Sequence, residues 1–282
     1  MKTLGEVLTL ASQFLKERQH IRARRAAEEL IAHLLKLKRL DLYMQFDRPM
    51  VEGELEELRA LLKRAAKGEP FEYLTGEMFF YHCALAITSD VLIPRPETEI
   101  LVDIACKQLQ KEDLVGKTAW DLCTGSGCIG IAVKKACPEL QVVLSDISNA
   151  ALGVAAANAQ RNGVEVELLL GDFLEPFGSR KADFVFCNPP YISKNQYNGL
   201  DGSVKNFEPK QALVAEEEGL SFYRRLKDAL PQHLHPGAKI YLELGAGQGQ
   251  DLIQLFSGPE WRKAYLEKDW AGHDRFFFLE FE

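Results

Sequence analysis

Ala182-Asp183-Phe184-Val185-Phe186-Cys187-Asn188-Pro189-Pro190-Tyr191 is a short apolar run that ends in a double-proline corner. The run predicts a buried parallel strand. The residue before a proline is driven to extended geometry, and proline fixes its own φ. Two prolines in succession therefore make a stiff turn just past the strand. Stiffness holds the Asn188 amide and the neighbouring carbonyls in place as hydrogen-bond acceptors, beside the flat ring of Tyr191. Acceptors and a ring suit a planar group carrying an NH2. A rigid strand-to-loop turn without chemistry would read the same in isolation. The upstream glycine loop is what favours a functional reading.

That loop is Asp121-Leu122-Cys123-Thr124-Gly125-Ser126-Gly127, placed where a first strand should hand over to a helix. Glycines let the backbone turn sharply and let a ligand approach the main chain. Downstream, Val142-Val143-Leu144-Ser145-Asp146 sets a carboxylate at the end of a second strand, where it can accept from both hydroxyls of a ribose. Gly125-x-Gly127-x-x-Gly130 with Asp146 about twenty positions on also matches the dinucleotide fingerprint. The loop alone does not separate a nicotinamide cofactor from S-adenosylmethionine. The Asn-Pro-Pro-Tyr corner breaks the tie, because methyl transfer to a planar nitrogen has a use for it and hydride transfer has none. Candidate cofactor-binding residues are Cys123, Thr124, Gly125, Ser126, Gly127, Asp146 and Asn188. Phe173, after Gly171-Asp172, could lie against an adenine or be simple core.

The remainder of the chain supplies an α/β frame. Strands are expected near 118–122, 141–146, 165–170, 182–187 and 238–244, with helices near 128–136, 149–161 and 219–230. This alternation marks a parallel sheet covered on both faces. Two more strands are expected near 263–267 and 275–281. Ahead of them, residues 1–75 read as a small helical bundle. Thr3 and Glu6 form a capping box for its first helix. Arg22, Arg24 and Arg25 read as a solvated helix face. Residues 76–96 read as a hairpin linker from Met78-Phe79-Phe80-Tyr81 and Leu85-Ala86-Ile87-Thr88, and residues 97–282 as the catalytic domain.

Length suits two domains: 282 residues at 46% hydrophobic content can bury two cores. No apolar run approaches the about 18–20 residues of a membrane span. The acidic residues Glu6 and Glu17 near the start suit neither a signal nor a transit peptide. Six cysteines without a C-x-x-C pair point to a reducing cytoplasm and to no metal site. His233-x-His235, flanked by prolines, reads as a turn. So does the second glycine cluster, Glu243 to Gly249, as a strand-to-helix connection. Residues 1–75 hold 14 Lys and Arg against 12 Asp and Glu, so of the net −7 the remainder carries −9. So acidic a catalytic half is poorly suited to gripping a polyphosphate backbone.

Taken with Tyr73-Leu74-Thr75-Gly76-Glu77, Leu92-Ile93-Pro94-Arg95-Pro96-Glu97-Thr98-Glu99, Glu208-Pro209, Gly219-Leu220, Asp269, Gly272 and Arg275, these motifs resemble the HemK-type protein-(glutamine-N5) methyltransferases over nearly the whole chain. The resemblance implies a Rossmann-like class I methyltransferase fold: a seven-stranded sheet behind an N-terminal helical domain that docks the protein substrate. It implies S-adenosylmethionine as methyl donor and peptide chain release factors, through their Gly-Gly-Gln loop, as partners. A cytoplasmic monomer with no nucleic-acid or membrane partner is expected. Asn188, Pro189, Pro190 and Tyr191 would be the catalytic corner, with the Asn188 oxygen and the Pro189 carbonyl accepting the two amide N–H bonds. One departure stands out: the family usually has glycine where this chain has Cys123. Two other readings remain: an adenine or guanine amino-methyltransferase, and a translation-associated protein that binds the donor without turnover.

Overall fold

A computed structural model describes residues 2–282, in two units. One comprises residues up to Gly76 with Asp201–Phe207, the other Glu77–Leu200 with Glu208–Glu282. The first unit contains α1 (Leu4–Glu17), α2 (Ala23–Leu35), a 3-10 turn (Arg39–Gln45), α3 (Glu52–Ala65) and the short α4 (Phe71–Thr75). Thr3 and Glu6 close the predicted capping box, with the Thr3 N–H donating to Glu6 Oε2 at 2.8 Å. Leu4, Leu8 and Leu15 of α1 share one core with Leu30 and Ile31 of α2 and Leu58 and Leu62 of α3. Arg22, Arg24 and Arg25 are exposed, as expected of a solvated face, with Arg24 reaching Glu28 at 3.0 Å and Arg25 reaching Glu29 at 2.8 Å within α2.

The second unit opens with a hairpin of β1 (Glu77–Phe80) and β2 (Cys83–Ala86). Its strands lie earlier than expected because Tyr81 and His82, at φ 37° and 65°, form the turn. Two-residue hairpin turns require such positive φ and normally recruit Gly or Asn, so no turn signal was written in the sequence. After it come α5 (Pro96–Leu109), β3 (Thr118–Leu122), α6 (Cys128–Ala136), β4 (Gln141–Asp146), α7 (Asn149–Asn162), β5 (Glu167–Leu170) and β6 (Ala182–Cys187). The chain goes on through α8 (Lys194–Asn198), α9 (Gly202–Phe207, part of the first unit), α10 (Ser221–Ala229), β7 (Leu234–Glu243), α11 (Gly249–Leu255), β8 (Trp261–Lys268) and β9 (Asp274–Phe281). The hairpin is pinned to α7: the side-chain amides of Asn158 and Asn162 pair with the backbone of Ala86 and Ala84, supplying β2 with the partners of a missing strand.

Seven strands form one sheet in the order β5-β4-β3-β6-β7-β9-β8, parallel as far as β7, with β9 antiparallel to both neighbours. The sheet grows outward from β3 to β5, then returns to place β6 against the other side of β3. Ligand crevices of open α/β sheets lie at that reversal, beyond the carboxyl ends of the strands. Behind it the core is dense, with Trp120 stacked on Phe177 at 3.9 Å and Phe186 on Tyr241 at 5.0 Å. His233 closes a 3-10 turn (Leu230–His233) and is buried edge-on to Trp120, whereas His235, expected in the same turn, is exposed on the strand that follows. Among the described residues no helix is long and apolar enough to cross a membrane, and no group of His, Cys, Asp and Glu is placed to hold a metal.

Helix α6 crosses β3 and β4 so closely that Gly130 has no room for a side chain. A Cβ there would stand 2.1 Å from Leu144 Cδ2 and 3.1 Å from Asp121 Cβ. Gly130→Ala is therefore expected to lower stability by about 1–3 kcal/mol through overpacking. Urea denaturation checks this, and an unchanged midpoint would show that α6 can lift off the sheet freely.

Candidate active site

Strand β3 leaves the sheet at Leu122, and the chain immediately becomes left-handed: φ is 56° at Cys123, 55° at Gly125 and 81° at Gly127. Cys123 thus adopts a conformation that glycine takes without steric cost. Two carboxylates hold this loop. Asp121, buried at the end of β3, accepts from Thr124 Oγ1 at 2.6 Å and from the Gly130 N–H at 2.9 Å, tying the loop and the first turn of α6 to the strand. Asp146, at the end of β4, accepts from the Gly125 N–H and the Ser148 N–H, each at 2.9 Å. The two bonds occupy one lone pair on each oxygen and leave the others available, since an ionised carboxylate has about four acceptor positions.

The loop borders a cavity of about 320 Å³ lying within the second unit. Cys123, Gly125, Asp146, Phe173, Asn188 and Pro190 all reach its wall. Thr124, Ser126, Gly127, Pro189 and Tyr191 do not, and the first three act on the loop itself. Thr124 caps Asp121, the Ser126 carbonyl accepts from Asn158 at 2.9 Å, and Gly127 lets α6 approach Ala155 of α7. Phe173 is both core and wall: it is buried, meets Phe222 edge-on at 5.9 Å and carries the Arg225 guanidinium 4.9 Å above its ring. Sequence reasoning missed, among others, Val91, Leu92, Gln211, Ala212, Phe222 and Arg225, which add to the wall from connecting segments and α10. Leu92 opens the stretch that runs to Glu99, but nothing in its residue type marks it as a wall residue, and the others carry no spacing signal of their own.

Beyond the cavity wall the corner is braced by a buried network. Asn188 Nδ2 donates to Thr98 Oγ1 at 3.3 Å, and Thr98 donates to Glu243 Oε2 at 2.6 Å. The Tyr191 hydroxyl meets Glu243 Oε1 at 3.3 Å, and Tyr223 donates to the Glu243 carbonyl at 2.7 Å. Gln248 closes the far side, accepting from the Gly245 N–H at 2.9 Å and donating to the Tyr191 carbonyl at 3.1 Å. The second glycine cluster is thus a strand-to-helix turn, as expected, and one that clasps the corner. Arg95 is engaged by the buried Glu208 at 2.6 Å. Burial pushes the Asp121 carboxyl up to about 7, against the pull of its bonds from Thr124 and Gly130. Glu243 is also raised to about 7 by burial, opposed by the Thr98 hydrogen bond, Arg275 and Tyr191.

Residues 6–76 match the PrmC N-terminal domain model and residues 98–202 the methyltransferase small domain. A release factor glutamine methyltransferase of Chlamydia trachomatis serovar D is 40% identical over 279 residues, covering 98% of this chain and 94% of the relative. The chain belongs to the release factor glutamine methyltransferase family. The Geobacter sulfurreducens member is 36% identical over 273 residues, at 97% and 95% coverage. In fold, a methyltransferase from Pyrococcus furiosus superposes with a TM-score of 0.51 at 16% identity, covering 80% of this chain and 98% of its own. Family membership makes the chain a methyltransferase with the class I sheet described above.

In this family member, Asp121 gives the loop a pH signature. Its folded value, about 7, lies above the ordinary 3.8, so the folded state holds the proton more tightly than the unfolded chain. The associated stability is fully present below about pH 4 and is lost as pH rises through about 7, on the order of 1–4 kcal/mol. Without ligand, Asp121→Asn should lose less stability between pH 5 and pH 8 than the wild type. Thermal melts at the two pH values test this; equal losses would mean that Asp121 stays charged throughout.

Proposed function

We propose that this chain transfers the methyl group of S-adenosylmethionine to the side-chain amide nitrogen, N5, of the glutamine in the Gly-Gly-Gln loop of a peptide chain release factor, a modification that serves translation termination. The supporting observation is that Asn188 and Pro190 share a cavity wall with Asp146 and Phe173. Acceptor-binding and donor-binding groups thus face one space. The residues fit the donor: Asp146 has free acceptor positions for ribose hydroxyls, Phe173 and Phe222 offer ring faces, and a Cβ on Gly125 would meet nothing within 4 Å, leaving the backbone open to approach. When bound, the donor supplies an electrophilic methyl group on a sulfonium.

The protein's task follows from the acceptor. An amide nitrogen is a poor nucleophile because its lone pair is delocalised into the carbonyl. Asn188 Oδ1 and the Pro189 carbonyl accept its two N–H bonds, fix the direction of attack and stabilise positive charge as it develops. Tyr191 packs on the amide plane. No strong base is needed before attack, and the proton leaves afterwards. Residues 1–75 dock the protein substrate. The chain works as a monomer without nucleic acid, and its six free thiols suit the cytoplasm.

Two outcomes are expected. Asp146→Ala should weaken S-adenosylmethionine binding by ~1.5–3 kcal/mol, the range for hydrogen bonds to a charged group, and calorimetry showing unchanged affinity would remove Asp146 from the site. In a competition among release factor, its Gln→Asn variant and duplex DNA, label from S-adenosylmethionine should appear only on the glutamine-bearing factor. Label on DNA, or equal label on both factors, would overturn the assignment. Flipping a base needs a surface that grips phosphates on both sides, and the −9 carried beyond residue 75 opposes it.

A further inference from the structure

Asn188 can serve as an acceptor only if its amide presents oxygen, not nitrogen, to the substrate. The two ends of an amide have nearly the same shape, so hydrogen bonding decides the orientation. On the side away from the cavity Asn188 has, among the described residues, one partner, Thr98 Oγ1 at 3.3 Å, and a hydroxyl can meet either end. What Thr98 offers depends on its own partner, Glu243 Oε2 at 2.6 Å. An ionised Glu243 can only accept. It takes the single Thr98 proton on one oxygen and the Tyr191 proton on the other, at 3.3 Å. Thr98 is left with lone pairs, draws in Asn188 Nδ2 and turns Oδ1 toward the substrate.

We propose that Thr98 and Glu243 are positioning residues that set which end of the Asn188 amide meets the acceptor, with ionised Glu243 selecting the productive one. The proposal rests on the methyl-transfer reading above. Among the described residues neither Thr98 nor Glu243 lines the cavity; Thr98 reaches it through Asn188, and Glu243 through Thr98 as well as through its own bond to Tyr191. A protonated Glu243 can donate to Thr98, which frees the Thr98 proton for Asn188. The amide then turns over, and Nδ2 faces an incoming N–H that it cannot accept. Burial raises the Glu243 carboxyl to about 7, so both of its protonation states fall inside the pH span tested below. The groups that face it come from every surrounding element: Thr98 and Glu97 on α5, Arg275 on β9, Tyr191 after β6, Tyr223 on α10 and Cys128 on α6. Arg275 favours the ionised form and Glu97 opposes it.

The test follows release-factor methylation by the full chain from pH 5.5 to 9 in wild type, Thr98→Val, Thr98→Ser and Glu243→Gln. Wild-type kcat should fall below pH ~7, where Glu243 takes up its proton. Thr98→Val should lower kcat about tenfold or more at pH 8, leave KM for S-adenosylmethionine within about twofold and abolish the acid limb. Thr98→Ser should stay within about threefold of wild type and keep the limb. Wild-type kcat with an intact acid limb in Thr98→Val overturns the proposal. Should Thr98→Val fail to fold, Glu243→Gln decides: its kcat should be low and free of that limb, and a surviving limb overturns the relay. A wild type inactive on the factor would sink the functional reading instead. The relay would then be judged on the Asn188 side-chain NH2 resonances, which should titrate near pH 7 in wild type and not in Thr98→Val. Resonances that titrate alike in both overturn it.

Discussion

Parallel pairing of Leu122 with Cys187 governs the active end of the molecule. It stops two strands distant in sequence at the same level, so the segments that follow them leave the sheet side by side. One becomes the glycine loop, the other the double-proline corner. Slipping the pair by one residue would send every side chain of β6 to the opposite face. The aromatic residues packed along these strands, Trp120 on Phe177 and Phe186 on Tyr241, make such a slip costly. Cavity, loop and corner thus inherit their geometry from strand register.

Asp121 and Asp146 show how environment divides labour between like residues. Both lie at the end of a strand and both hold the glycine loop, Asp121 through the Thr124 hydroxyl and Asp146 through the Gly125 N–H. Asp121 is sealed under α6, so its charge has no solvent and its carboxyl serves as a clamp. Asp146 stands at the cavity, keeps free acceptor positions and can meet a ligand. The same chemical group is a buried clamp in one place and faces the cavity in the other.

Much of this was legible in the chain. Alternating apolar runs and helical periodicities locate the sheet and its helices because those patterns follow from burial. The glycine loop, Asp146 and the proline corner are readable because each constrains backbone or charge locally. The Tyr81-His82 turn was not, since its positive φ falls on residues without a turn preference. The Thr98–Glu243 bridge joins positions 145 residues apart. No local pattern encodes such a pair, although Thr98 lies in a stretch that matches the family. Cys123 is an intermediate case. Its departure from glycine is visible in the sequence, but the φ of 56° that makes the departure costly is visible only in the folded loop.

The two ends of the sheet bear on how the molecule lives in a crowded solution. An open sheet ends in unpaired backbone groups, a template on which a foreign strand can add. Here one border is β5, only four residues long. The other is β8, where Arg262, Lys263, Glu267 and Lys268 are exposed along the strand. Its register with β9 also shifts at both ends, which spoils a straight docking line. One border is too short and the other too charged and irregular to nucleate growth. An enzyme whose interior strands are nearly continuous hydrophobic sequence is thereby protected against stacking into fibrils.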